Sequence, residues 1–155
     1  MKKLLSGGLV FLAGVVSPVA LCPQQAHTAP APDYRKDARF EALSKFFGDC
    51  PAQDYLEVFL EAADDYDLDW RLLPSLSYVE TTGGKAARNN NYFGWDSGNA
   101  QFSSPEAGIQ EVAYRLANSD LYRAKNVDGI LATYNPNPSY AATVKSLMRR
   151  IAPVQ

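Results

Sequence analysis

The chain has 155 residues, 46% apolar and 21% charged, ordinary fractions for one globular domain with a single sizeable core plus a leader. With Lys2 and Lys3 set aside, 13 basic residues face 17 acidic ones, a formal charge of −4 without any basic stripe, so nucleic acid is not an expected partner. The single histidine, His27, falls in the leader or linker, which excludes a histidine triad or a zinc site from the domain; no metal and no organic cofactor is implied.

The start reads as a secretory signal over residues 1–29. Lys2 and Lys3 form the basic end, and Leu4 to Val16 form an apolar run ended by Pro18. The run is short for a membrane span and carries glycines, so no stable span is expected after processing. "VALC" at Val19 to Cys22 resembles a lipoprotein box, although Leu21 is bulkier than the small residue usual there. An exported location, periplasmic or extracellular, permits a bond between Cys22 and Cys50 without demanding one. A stretch rich in Pro, Ala and Gln leads into a linker placed at 30–38, and the folded domain is placed at 39–153.

From Asp37 onward the period is helical, and the fold class expected is all-α, with at most a short hairpin. "DARFEALSKFF" puts Phe40, Leu43 and Phe47 on one face and stops at Gly48. "DYLEVFLEAADDYDLD" puts Tyr55, Val58, Phe59, Ala62 and Tyr66 on one face. Its acidic end mimics a calcium loop through Asp65, Asp67 and Asp69. The sixth place is Trp70 instead of Gly and the twelfth is Leu76 instead of Glu, so it reads as a solvated helix end. "DWRLLPSLSYVE" follows, with Asp69 as N-cap. "TTGGKAARNNNYFGWDSGNAQFS" is a long irregular segment full of Gly and Asn. Ser104 then caps a helix that opens with Pro105 and Glu106 and turns Ile109, Val112, Ala113 and Leu116 inward. "VDGILATY" is a short helix. "PSYAATVKSLMRRI" is the last, with Tyr140, Val144, Leu147 and Ile151 on one stripe.

Glu80 is the residue that does not fit a plain helix. Counting back three, four and seven positions gives Ser77, Leu76 and Leu73, so it shares a face with core residues. A carboxylate on such a face costs free energy unless it is paired or used, and the helix dipole disfavours negative charge at this end too. Both effects favour the neutral acid, the form able to protonate a glycosidic oxygen. The competing reading is a carboxylate that curls out to solvent or pairs with Lys85 or Arg88.

Three segments carry a resemblance. "YDLDWRLLPSLSYVETTGGK" resembles the helix bearing the acid glutamate in the lysozyme-like superfamily, "NNNYFGW" resembles an Asn-x-Phe-Gly segment, and "TYNPNPSYAATV" resembles a Tyr-x-x-x-Pro-x-Tyr-Ala-x-x-Val segment. In this order and over roughly Gln53 to Ile151, the chain is similar to the mannosyl-glycoprotein endo-β-N-acetylglucosaminidase-like domains, relatives of the flagellar muramidase and of lytic transglycosylases. The resemblance implies a lysozyme-like helical domain and a glycosidase, expected to act as a monomer on β-1,4-linked N-acetyl amino-sugar polymers, peptidoglycan first. It implies Glu80 as general acid and Asn91, Phe93, Gly94 and Tyr134 as substrate-binding residues, with Trp95 beside that loop. Tyr140 matches a second tyrosine more often structural, and its place on the Val144 stripe reads as core packing.

Members of that group often carry a second acid on a hairpin. Here the segment after Gly94 is short and offers Asp96, which also reads as a turn former in "WDSG". Glu106 is a first-turn residue. With one acid, a lytic transglycosylase that leaves an anhydro-muramic end is the alternative enzyme. A glycan-binding envelope protein without catalysis is the alternative outside enzymes.

Overall fold

The computed structural model describes residues 32–153. The expected signal segment and Cys22 lie outside the described residues. Six α-helices run in chain order: α1 (Ala38–Phe47), α2 (Leu56–Asp65), α3 (Leu72–Thr81), α4 (Pro105–Asn118), α5 (Val127–Tyr134) and α6 (Pro138–Ile151). Two 3-10 turns, Tyr34–Lys36 and Pro51–Tyr55, complete the elements. No strand forms among the described residues. The expected hairpin is reduced to one antiparallel bridge between Arg88 and Asn91, and the all-α class is as expected.

α3 is the centre. Residues 72–77 are all buried, which is what a helix apolar on every side requires. It packs against α6 and α2; α2 packs in turn on α4 and α1, and α5 lies on α6. The shared core runs through Leu43, Phe47, Phe59, Leu73, Leu76, Val112, Leu131 and Val144.

α4 follows the sequence expectation in every part. Ser104 Oγ accepts from Ala107 N–H at 3.2 Å, Pro105 opens the helix, and Ile109, Val112, Ala113 and Leu116 are buried. α2 does not. Its buried residues are Leu56, Phe59, Leu60, Ala62 and Ala63, while Tyr55, Val58 and Tyr66 are only partly covered. The residues before Leu56 wind as a 3-10 turn at three residues per turn, which rotates the phase read for a single α-helix. Asp69 accepts from Arg71 N–H at 3.0 Å but stands ahead of the helix, whose cap position is Arg71. The packed part also starts earlier than residue 39: Tyr34 is buried, and Asp37 caps α1 by accepting from Arg39 N–H at 2.8 Å.

No helix among the described residues is long and apolar enough to cross a membrane. No cluster of His, Cys, Asp and Glu there could hold a metal ion. Asp64 and Asp69, at the calcium-like stretch, are instead paired with Arg39 and Arg71.

Candidate active site

α3 ends abruptly, and the manner of its ending places Glu80. Thr82 takes a left-handed backbone, φ +54°, and its N–H reaches back to the carbonyls of the last turn. Gly83 (φ +61°) and Gly84 (φ +93°) continue the reversal. A Cβ on Gly83 would lie 2.9 Å from Cys50 Cβ, and one on Gly84 would lie 2.5 Å from the Tyr92 ring. These glycines therefore let protein close over the helix end. Buried Thr81 locks it: its Oγ1 donates to Tyr92 O at 2.8 Å and accepts from Gly84 N–H at 3.0 Å. Cys50, the cysteine within the described residues, is a buried free thiol in this closure.

The segment from Asn89 to Phe102 folds back on itself. Asn90 Nδ2 donates to Phe102 O at 2.8 Å, and Phe102 N–H donates to Asn89 O at 3.0 Å. Asn91 is buried at its centre. Its Nδ2 donates to Trp95 O at 3.0 Å, and its Oδ1 accepts from Trp95 N–H at 2.9 Å. Asn91 thus shapes the loop with both ends of its amide. Phe93 is buried too, its ring edge-on to Phe59 with the centroids 6.4 Å apart. The part of Phe93 turned to the site is its carbonyl.

That carbonyl accepts from Tyr134 Oη at 2.5 Å. Tyr134 is the last residue of α5, and Tyr140 sits in the first turn of α6. Between them the sequence Asn-Pro-Asn-Pro forms a short stiff turn. Asn135 Oδ1 accepts from Asn137 N–H at 3.0 Å, and Asn137 Oδ1 caps α6 by accepting from Ser139 N–H at 3.0 Å. The two rings lie nearly parallel, 9° apart with centroids at 6.0 Å.

Tyr140 Oη donates to Glu80 Oε1 at 2.6 Å. Tyr140 is partly buried and packs against the core as its place on the Val144 stripe implied, and in addition its hydroxyl belongs to the site. Glu80 is half-buried as well, and it has no cationic partner among the described residues; Lys85 and Arg88 are exposed and unpaired with it. Its second oxygen faces the loop. A Cβ on Gly94, where φ is +58°, would lie 3.0 Å from Glu80 Oε2. Both phenols are held well above the ordinary phenol range, by burial first and then by the nearby Glu80, so both stay hydrogen-bond donors at neutral pH.

A cleft of about 250 Å³ opens at Gly94, walled also by Trp95, Asp96, Leu121, Tyr122 and Tyr134. Trp95 meets Tyr134 edge-on at 5.8 Å and Tyr122 at 6.1 Å. Gly94 and Tyr134 belong both to this wall and to the surroundings of Glu80, which is not itself on the lining. Asp96 lines the cleft on an exposed turn with φ +53°, and its side chain has no hydrogen bond or ion pair among the described residues. A larger groove of about 370 Å³ lies between α1 and the end of α6, but its carboxylate, Glu41, is paired with Lys45 at 2.7 Å.

Of the residues singled out in the sequence, Gly94, Trp95, Asp96 and Tyr134 line one cleft, Glu80 lies against Gly94 without lining it, and Asn91 and Phe93 are buried in the loop. Sequence reasoning missed Thr81, Leu121 and Tyr122, which carry no spacing signal, and the contact of the Tyr140 hydroxyl with Glu80. No protein-family model matches the chain, and neither a curated protein nor a solved structure shows significant similarity to it.

Proposed function

We propose that the protein is an exported glycosidase with a lysozyme-like fold, cleaving β-1,4-linked N-acetyl amino-sugar polymers, peptidoglycan foremost, with Glu80 as general acid. The observation that carries this reading is a carboxyl group oriented by a phenol, free of any cation among the described residues, and set against Gly94, which lines an aromatic cleft. An ion-paired carboxylate would be structural; an unpaired one held in a fixed direction fits proton transfer.

The hydrogen bonds also sort the two oxygens. Oε1 accepts from Tyr140, so the proton to be delivered is carried on Oε2, the oxygen beside Gly94. For transfer, a sugar stacked on Trp95 and bounded by Tyr134 has to bring its glycosidic oxygen past Gly94 into hydrogen-bond reach of that oxygen. As the C–O bond breaks, the proton moves from Oε2 to the leaving oxygen, and the Tyr140 hydroxyl supports the carboxylate left behind. Asp96 is the carboxylate placed to activate a water from the cleft.

A lytic transglycosylase is the second reading, favoured by one observation: the polar side chain bonded to Glu80 is a phenol, and Asp96 sits on the exposed rim. Digestion of purified peptidoglycan, read by mass spectrometry, decides. Wild type should release water-added fragments, and Glu80→Gln should release none. Asp96→Asn, which suits a left-handed backbone, should keep the fold and lower the rate at least tenfold. Anhydro ends with an unchanged Asp96→Asn rate would assign the transglycosylase reaction. Full activity in Glu80→Gln would end both readings.

A further inference from the structure

The cleft continues past Trp95. A second groove of about 390 Å³ is lined by Trp95, Glu111, Tyr114, Arg115, Leu121 and Tyr122, and three of these, Trp95, Leu121 and Tyr122, also wall the cleft beside Gly94. The two hollows are therefore neighbours across one aromatic partition.

Tyr114, 50% exposed, and Leu121, 58% exposed, are the large apolar side chains left in solvent among the described residues, and both stand on this groove. Single exposed apolar residues are ordinary, but two that flank a tryptophan in a continuous hollow form a patch. The patch is organised. Tyr66 meets the Tyr114 ring edge-on at 5.9 Å and 75°, fixing its plane. The Arg115 guanidinium lies 5.9 Å from the centre of the Trp95 ring, and its Nε donates to Glu111 Oε1 at 2.6 Å. The groove thus offers fixed aromatic surfaces with a carboxylate and a guanidinium between them. A pyranose has the matching chemistry: apolar C–H faces that lie on rings, and hydroxyls around its edge that bond to charged donors and acceptors.

We propose that this groove is a second sugar subsite, which takes a further unit of the same glycan chain and makes the protein favour long oligosaccharides over short ones. The inference rests on the glycan-cleaving reading of the Glu80 site, and the three lining residues shared with that cleft are why a sugar, and not a protein partner, is assigned to it.

Binding to full-length Glu80→Gln protein tests it without cleavage. The probes are chitohexaose and chitobiose, by titration calorimetry. The hexamer should bind at least tenfold tighter than the dimer. Tyr114→Ala, at a half-exposed position, should remove most of that advantage and leave dimer affinity unchanged, and Tyr114→Phe should restore it. Equal affinity for the two lengths, or a hexamer affinity indifferent to Tyr114→Ala, would overturn the subsite. Length-dependent binding that needs Tyr114, in a protein whose wild type cuts no glycan, would keep the subsite and sink the enzymatic reading instead. Binding of neither oligomer, with self-association lost in Tyr114→Ala, would give the groove to a second copy of the chain.

Discussion

Tyr140 holds one oxygen of Glu80 with a hydroxyl that burial and Glu80 itself keep protonated far into the alkaline range. Removing that hydroxyl in Tyr140→Phe deletes a hydrogen bond to the carboxylate formed after proton transfer, worth roughly 1.5–3 kcal/mol for a charged acceptor. The expected result is a drop of about tenfold or more in kcat with little change in KM. An unchanged kcat would leave Tyr140 with its packing role alone. The sequence could not separate these roles. A tyrosine four residues before Val144 lies on the core stripe whether its hydroxyl ends in solvent or on a carboxyl sixty positions back. Glu80 was legible because a carboxyl on an apolar helix face is locally anomalous. Asn91 was legible as a loop residue, but its bonds to Trp95 show how the loop is built, which no spacing reveals.

At the level of elements, the reversal after α3 depends on two glycines for reasons that differ from those at Gly48. A Cβ at Gly48 meets nothing within 4 Å, so only its left-handed backbone, φ +52°, resists substitution. At Gly84 the same strain is joined by overlap with the Tyr92 ring at 2.5 Å. Gly84→Ala is expected to destabilise by about 2–4 kcal/mol and Gly48→Ala by about 1 kcal/mol. A thermal melt would show the first falling about 10 °C and the second only a few degrees. Similar losses in both would mean that the Tyr92 ring moves aside without cost. The helices themselves were readable where caps are local. Ser104 and Pro105 announce α4, and its inward residues follow the period. α2 was readable in existence but not in phase, since nothing in "PAQDY" distinguishes a 3-10 turn from the first turn of an α-helix.

For the whole molecule, the buried phenols set the alkaline limit. Tyr34 and Tyr92 are each pushed up to about 12, by burial first, then for Tyr34 by Asp64 and for Tyr92 by Tyr55 and Asp54. Tyr134 and Tyr140 are pushed up further. A phenol that holds its proton more tightly when folded contributes its full stabilisation below about pH 10 and loses it as pH rises through about 12. The urea midpoint is therefore expected to stay level to about pH 10 and to fall steeply over the next two units. A midpoint level to pH 12 would contradict it. On the acid side, Arg39 holds the carboxyls of Asp37 and Asp64 below their usual range through its hydrogen bonds, and that contribution is lost as they protonate. All three side chains are partly exposed, so this acid loss should be shallow.

The bonds that complete the Glu80 site span 41 residues, from Tyr134 to Phe93, and 60 residues, from Tyr140 to Glu80. Contacts so far apart in sequence close large loops, and the entropy of closing them must be met before they form. A partly folded chain with α1 to α3 in place would already display the glutamate, yet would have neither phenol to aim it nor a loop to wall the cleft. The chemistry proposed for this protein would then switch on only with the last two helices, so that a chain still being made would be a harmless one.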